Sequence, residues 1–164
     1  MKTGRPAAGF PFPQPVFTIT TKGKATGGNT NQTQVRFRKC SIYSLGLRIV
    51  EAASFIAAPS CALHAAQLGA EVIRIDQIGG GPDFKRWPLS GSGDSFYWEG
   101  LNKGKKSIAI DLGSAEGREL AAALITAPGE DAGLFVTNFP ASGFLSHDKL
   151  AERRPDLITA RIMG

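Results

Sequence analysis

The sequence has little sulfur, little histidine and no long hydrophobic run, and its first forty positions contain no acid. Cys40 and Cys61 stand too far apart for a C-x-x-C pair, which excludes a zinc finger, a thioredoxin-type motif and a disulfide-stapled scaffold. Cys61 reads as a small core residue on an apolar helix face. The two histidines, His64 and His147, complete no Ser/His/Asp, Cys/His or metal-ligand constellation. No window approaches the roughly 18 uninterrupted apolar residues of a membrane span. The longest candidate, residues 55–66, is broken by Pro59, Ser60 and His64. These absences leave a globular chain with no membrane partner, and a reducing, cytoplasmic setting is the default.

Charge is unevenly placed. The net charge is +5, yet residues 1–40 hold seven basic side chains (Lys2, Arg5, Lys22, Lys24, Arg36, Arg38, Lys39) and no acid. The remainder has twelve basic residues against fourteen acids and is mildly acidic. The basic stretch lacks aromatic platforms at regular spacing, which argues against a nucleic-acid partner. It also lacks the amphipathic Arg/Ser helix of a transit peptide. Rich in Pro, Gly, Thr, Asn and Gln and without an apolar period, residues 1–44 read as a disordered leader. Residues 45–164 then form the domain.

What is present centres on residues 47–83. Residues 47–52 are short and mostly apolar, and residues 71–76 (EVIRID) are β-branched and end on a carboxylate. Between them, residues 57–68 carry Cys61, Ala65 and Leu68 at helical spacing, with Pro59 in the first turn and Gly69 closing the helix. Two strands joined in this way form a right-handed βαβ unit with parallel strands. Ligands of such units lie outside the carboxyl ends of the strands, against the helix N-terminus. The turn 53–58 and the glycine-rich loop 77–83 therefore share one rim, suited to a ligand that carries phosphates. The turn contains no glycine, whereas a dinucleotide fold needs G-x-G-x-x-G there, so an NAD-dependent oxidoreductase is disfavoured. Asp76 lies where a ribose-binding acid would, but a strand-end carboxylate facing solvent or capping the loop is the favoured reading.

Residues 84–106 read as a long loop whose Trp87, Tyr97 and Trp98 anchor it to the core. Residues 107–112 alternate as a strand, and Ser114 caps a helix over residues 115–125. A strand over 134–137, a short helix over 148–154 and a strand over 157–162 follow. Strands alternating with helices predict an α/β protein with a Rossmann-like doubly wound parallel sheet. His64 is expected on the core face of its helix and His147 at the surface. Lys103, Lys105 and Lys106 form a basic cluster that would suit an anionic ligand, with a solvated loop as the favoured alternative.

An ordered series of motifs resembles a known family. A G-x-x-V-x-E/D strand stands at residues 46–51, an A-A-P turn at 57–59, L-G-A at 68–70 and VIRID at 72–76. GGGPD follows at 79–83, NKGKKSIAIDL at 102–112, EGREL at 116–120 and TNFP at 137–140. Together they are similar to the N-terminal part of the family III CoA-transferases, the group of formyl-CoA transferase, carnitine CoA-transferases and α-methylacyl-CoA racemase. The wording RWPL at 86–89, YWEGLNKGK at 97–105 and ITAPGEDAGLFVTNFP at 125–140 is most like an isomerase branch, in which CoA moves between the carboxyls of one diacid.

The resemblance implies CoA or an acyl-CoA as substrate, with no permanently bound cofactor, no metal and a homodimeric full-length enzyme. It places Ser54, Phe55, Ile56 and Ala57 in the first turn that contacts CoA. Gln77 stands where formyl-CoA transferase has an arginine near the nucleotide, so a charge is missing there. Ile110 falls where the family packs an apolar residue against adenine, although an interior strand residue fits equally well. Asn138 and Phe139 match an N-F pair near the CoA arm, and an asparagine at a strand tip also caps turns. In the family an aspartate attacks the acyl-CoA thioester and forms a mixed anhydride. The resemblance puts that aspartate beyond the counterpart of Gly164, so no catalytic residue is expected within these residues. The chain is expected to be a truncated N-terminal CoA-binding part, with a non-catalytic CoA- or nucleotide-binding module as the alternative.

Overall fold

The computed structural model describes Ser44, residues 46–140 and residues 142–163. Apart from Ser44, the expected leader lies outside the described residues. Five strands are present: β1 (Arg48–Ala52), β2 (Glu71–Asp76), β3 (Lys106–Ala109), β4 (Leu134–Thr137) and β5 (Ile158–Arg161). They alternate with α1 (Ala57–Gln67), α2 (Phe96–Asn102), α3 (Ala115–Ile125) and α4 (His147–Arg153). All pairings are parallel, in the order β3-β2-β1-β4-β5. The expected Rossmann-like α/β sheet is thus observed. No described helix is long and apolar enough to cross a membrane.

Strand alternation builds one core on each face. Val50, Ala52, Ile75, Ile110 and Phe135 pack against Ala121, Ala122 and Ile125 of α3 and Leu150 of α4. Ile49, Val72 and Val136 pack against Ala58 and Ala62 of α1. The α1 contact is made of alanines, which bring the helix backbone close to the sheet and leave the other helix faces in solvent. This corrects the placing of Cys61 and His64 in the core, since both are exposed. His64 Nδ1 instead lies 2.7 Å from the carbonyl of Ser60.

A second correction concerns residues 84–106, which contain α2 and an isolated bridge between Leu89 and Ser95. Seven residues with Gly100 among them and no fully buried position give no apolar period. The legible signal was Ser95, whose hydroxyl accepts from the Trp98 amide and caps the helix.

The chain runs outward from β1 through β2 to β3, then returns across the sheet to β4 beside β1. Strand order therefore reverses between β1 and β4. The crevice beyond their carboxyl ends is where open α/β sheets bind ligands.

Candidate functional site

At that crevice the turn after β1 meets the turn after β4. The Ser54 amide donates to Asn138 Oδ1 (3.1 Å), and Asn138 Nδ2 donates back to the Ser54 carbonyl (2.8 Å). Thr137 Oγ1 donates to the Ala52 carbonyl (2.7 Å) and accepts from the Phe139 amide (3.0 Å). Three of these hydrogen bonds tie the two strand tips together, and the fourth closes the turn after β4 on Thr137. Asn138 spends both ends of its amide on backbone, so it shapes the turn.

The next residue is strained. Phe55 has φ 68°, in the left-handed region that disfavours residues with a side chain. Its amide donates to Asp83 Oδ2 (3.0 Å), reaching from the loop after β2. The Arg86 guanidinium lies 5.4 Å from the Phe55 ring centroid and 4.8 Å from that of Tyr97, a cation held between two aromatic faces. Gly80 lets the loop fold over Phe84. It has φ 95°, and a Cβ there would meet Phe84 Cδ1 at 2.5 Å.

Beyond Phe55 the first turn of α1 is bare. The helix has no side-chain cap and no acid in its first turn, whereas α3 is capped by Ser114 and carries Glu116. Pro59 lacks an N–H, which leaves the Ala57 and Ala58 amides at the positive end of the helix dipole. Ile56 and Ala57 are exposed, and Phe55 is 43% exposed. Such a helix start is ready to hold an anion.

Beneath the turn lies a buried ionic network that the sequence reading missed. Glu51 and Arg74 are register partners on β1 and β2, on the sheet face covered by α1. Arg74 donates to Glu51 Oε1 (2.9 Å), Asp76 Oδ1 (2.7 Å) and Asn102 Oδ1 (3.1 Å), and its Nη2 lies 3.6 Å from Asp83 Oδ2. Lys105 Nζ donates to Glu51 Oε2 (2.7 Å), the Pro59 carbonyl (2.9 Å) and Asn102 Oδ1 (3.0 Å). The side chains of Glu51, Arg74, Asp83 and Lys105 are each at most 2% exposed. Burial pushes the Lys105 pKa down, and the Glu51 carboxylate only partly offsets this. Burial acts on Arg74 in the same direction, but Asp76, Glu51 and Asp83 outweigh it and hold the guanidinium more firmly charged.

The network corrects two expectations. The basic cluster does not act together: Lys105 is buried against Glu51, and Lys106 pairs with Glu71 at the start of β2, on the opposite rim. Asp76 neither faces solvent nor caps the loop. It accepts from Arg74 and from Ser107 Oγ (2.6 Å). The sequence signal was a charged residue inside a strand buried on both faces, which has to find a partner.

The structure brings Ser54, Phe55, Ile56, Ala57, Asn138 and Phe139 together at the crevice. Gln77 follows β2 on the same rim and is exposed. Ile110 follows β3 but is 3% exposed and packs in the core with Ile75 and Phe135, so its side chain offers no free face. Among the described residues, no group of three or more His, Cys, Asp or Glu could hold a metal ion.

Comparison with known proteins agrees with this architecture. The sequence model for CoA-transferase family III matches residues 45–164. The 2-methylfumaryl-CoA isomerase of Chloroflexus aurantiacus is 58% identical over 120 residues, which is 73% of this chain and 29% of that protein. The succinyl-CoA:mesaconate CoA-transferase of Haloarcula hispanica is 32% identical, covering 72% of this chain and 31% of its own length. Among solved structures, a CAIB/BAIF family protein from Brucella suis superposes with a TM-score of 0.64 at 31% identity, over 74% of this chain and 33% of that one. The chain thus spans about a third of the length of these relatives.

Proposed function

We propose that this chain, which belongs to CoA-transferase family III, supplies the CoA-binding N-terminal part of an enzyme of the 2-methylfumaryl-CoA isomerase type. The observation that carries the reading is the uncapped start of α1, placed at the switch point and framed by Ser54, Phe55 and Asn138. The amides of that turn hold a phosphate group of CoA, and Phe139 flanks its arm. Gln77 stands near the nucleotide without adding charge, which leaves the helix dipole as the main anion-binding element. The identity to the Chloroflexus isomerase supports a dicarboxylic acyl-CoA as substrate.

The chemistry is acyl transfer in two steps. An aspartate carboxylate attacks the thioester carbonyl, the C–S bond breaks, and CoA leaves as a thiolate while a mixed anhydride forms. The bound thiolate then re-forms a thioester on the other carboxyl of the same diacid. These residues contribute positioning, since they hold CoA still between the two steps. The acids at this rim are already engaged: Glu51, Asp76 and Asp83 serve Arg74, Lys105, Ser107 and the Phe55 amide. That occupation also favours the second reading, a CoA- or nucleotide-binding module without its own catalysis.

Calorimetry of the 164-residue chain with CoA, acetyl-CoA and NAD tests the reading. Binding of CoA and acetyl-CoA at similar affinity, with no heat from NAD, is the expected result. Binding of NAD in preference to CoA would overturn it.

A further inference from the structure

Asp83 is out of place as an ordinary loop acid. Its side chain is 1% exposed, and both of its contacts converge on one oxygen: the Phe55 amide and Arg74 Nη2 meet Oδ2, at 3.0 and 3.6 Å. The other oxygen, Oδ1, is buried without a hydrogen-bond partner. It lies against Gly81, where an added Cβ would stand 3.2 Å from it. A carboxylate buried with half its capacity unmet costs stability. The strained conformation of Phe55 adds a further cost. Both costs fall at one contact, on the turn that opens α1.

We propose that Asp83 is a positioning residue for CoA, whose carboxylate locks Phe55 in the left-handed conformation and so presents the first amides of α1 to the ligand. Arg74 faces the same carboxylate oxygen, and Glu51 and Lys105 keep Arg74 in place. The Arg86 guanidinium on the Phe55 ring supports the same conformation from outside. The ligand half of this proposal rests on the CoA-binding reading above. The conformational half stands on geometry alone.

Amide hydrogen exchange and CoA calorimetry on the full chain separate the two halves. Asp83→Ala removes the acceptor, Asp83→Asn keeps one of the same shape, and Phe55→Gly removes the strain that the acceptor holds. Exchange at Phe55 should quicken about tenfold in Asp83→Ala while the Val50 and Phe135 amides stay protected, and Asp83→Asn should stay within about threefold of wild type. The CoA Kd should rise about tenfold in Asp83→Ala, and by less than about threefold when the same change is made on the Phe55→Gly background. Unchanged exchange at Phe55 with intact CoA binding would overturn the proposal and leave the CoA reading standing. An equal loss of affinity with phenylalanine or glycine at position 55 would also overturn it. A wild-type chain that binds no CoA yet shows the exchange effect would remove the CoA reading, and the ligand half with it.

Discussion

At the scale of single residues, Arg74 has the greatest leverage in the domain. It is the shared partner of Glu51, Asp76 and Asp83, and only Lys105 would remain to face Glu51 without it. Arg74→Met should therefore destabilise the chain by about 3–5 kcal/mol, because two buried carboxylates lose their cation. Urea denaturation monitored by tryptophan fluorescence measures this, and a loss below about 1 kcal/mol would show that the network is dispensable. Replacing Glu51, Arg74, Asp83 and Lys105 together with apolar residues of similar size should cost far less than the single change. The alternation of β1 and β2 already put positions 49, 51, 72 and 74 on one face. What the sequence did not show was that Asn102 of α2 and Lys105 just beyond it reach that face, where they meet Glu51 and Arg74.

At the scale of elements, the bare start of α1 and the capped start of α3 make a contrast that can be tested. An acid placed in the first turn of α1 complements the dipole and occupies the ground of a bound phosphate. Ala57→Glu, at an exposed position, should raise stability by about 0.3–1 kcal/mol while weakening CoA binding about tenfold. Thermal denaturation and calorimetry on the same sample would read the two effects in opposite directions; a parallel loss would mean a disrupted helix.

The opposite rim carries a different electrostatic element. Hydrogen bonds from Lys106 and then Arg48 hold the Glu71 pKa below the ordinary carboxylate value. A carboxylate depressed in the folded state binds fewer protons there than when unfolded. Its contribution is therefore present above the ordinary carboxylate range and is lost as pH falls through the folded pKa. Glu71→Gln should flatten the acid limb of the stability curve in that window. Because the pair is exposed, about 0.1 to 1 M salt should flatten it in wild type as well. Helix α3 and strands β2 and β4 were legible to their end residues because they carry clean periods or caps. Helix α2 was not, because its seven residues bury none of their number.

At the scale of the whole molecule, the sequence pattern predicted the rim but not how the rim is held. A strand-helix-strand unit with a glycine-rich loop is enough to place a ligand outside the strand ends. The family resemblance supplied Ser54, Phe55, Ile56, Ala57, Asn138 and Phe139. Neither route showed that Asn138 and Asp83 spend themselves on backbone amides, since those contacts join residues 84 and 28 positions apart. Side chains committed in this way bear directly on activity. A nucleophilic carboxylate has to reach a thioester carbonyl with a free oxygen and room to form an anhydride. Asp76 is bound by Arg74 and Ser107, Glu51 by Arg74 and Lys105, and the one free oxygen of Asp83 is buried against Gly81. The 164-residue polypeptide incubated with mesaconyl-CoA should therefore bind it and return it unchanged by mass spectrometry. Asp76→Asn should leave that null result and the CoA Kd within about threefold of wild type. Turnover by the wild-type polypeptide that disappears with Asp76→Asn would place the reacting carboxylate on β2 and overturn the assignment of this rim to positioning alone.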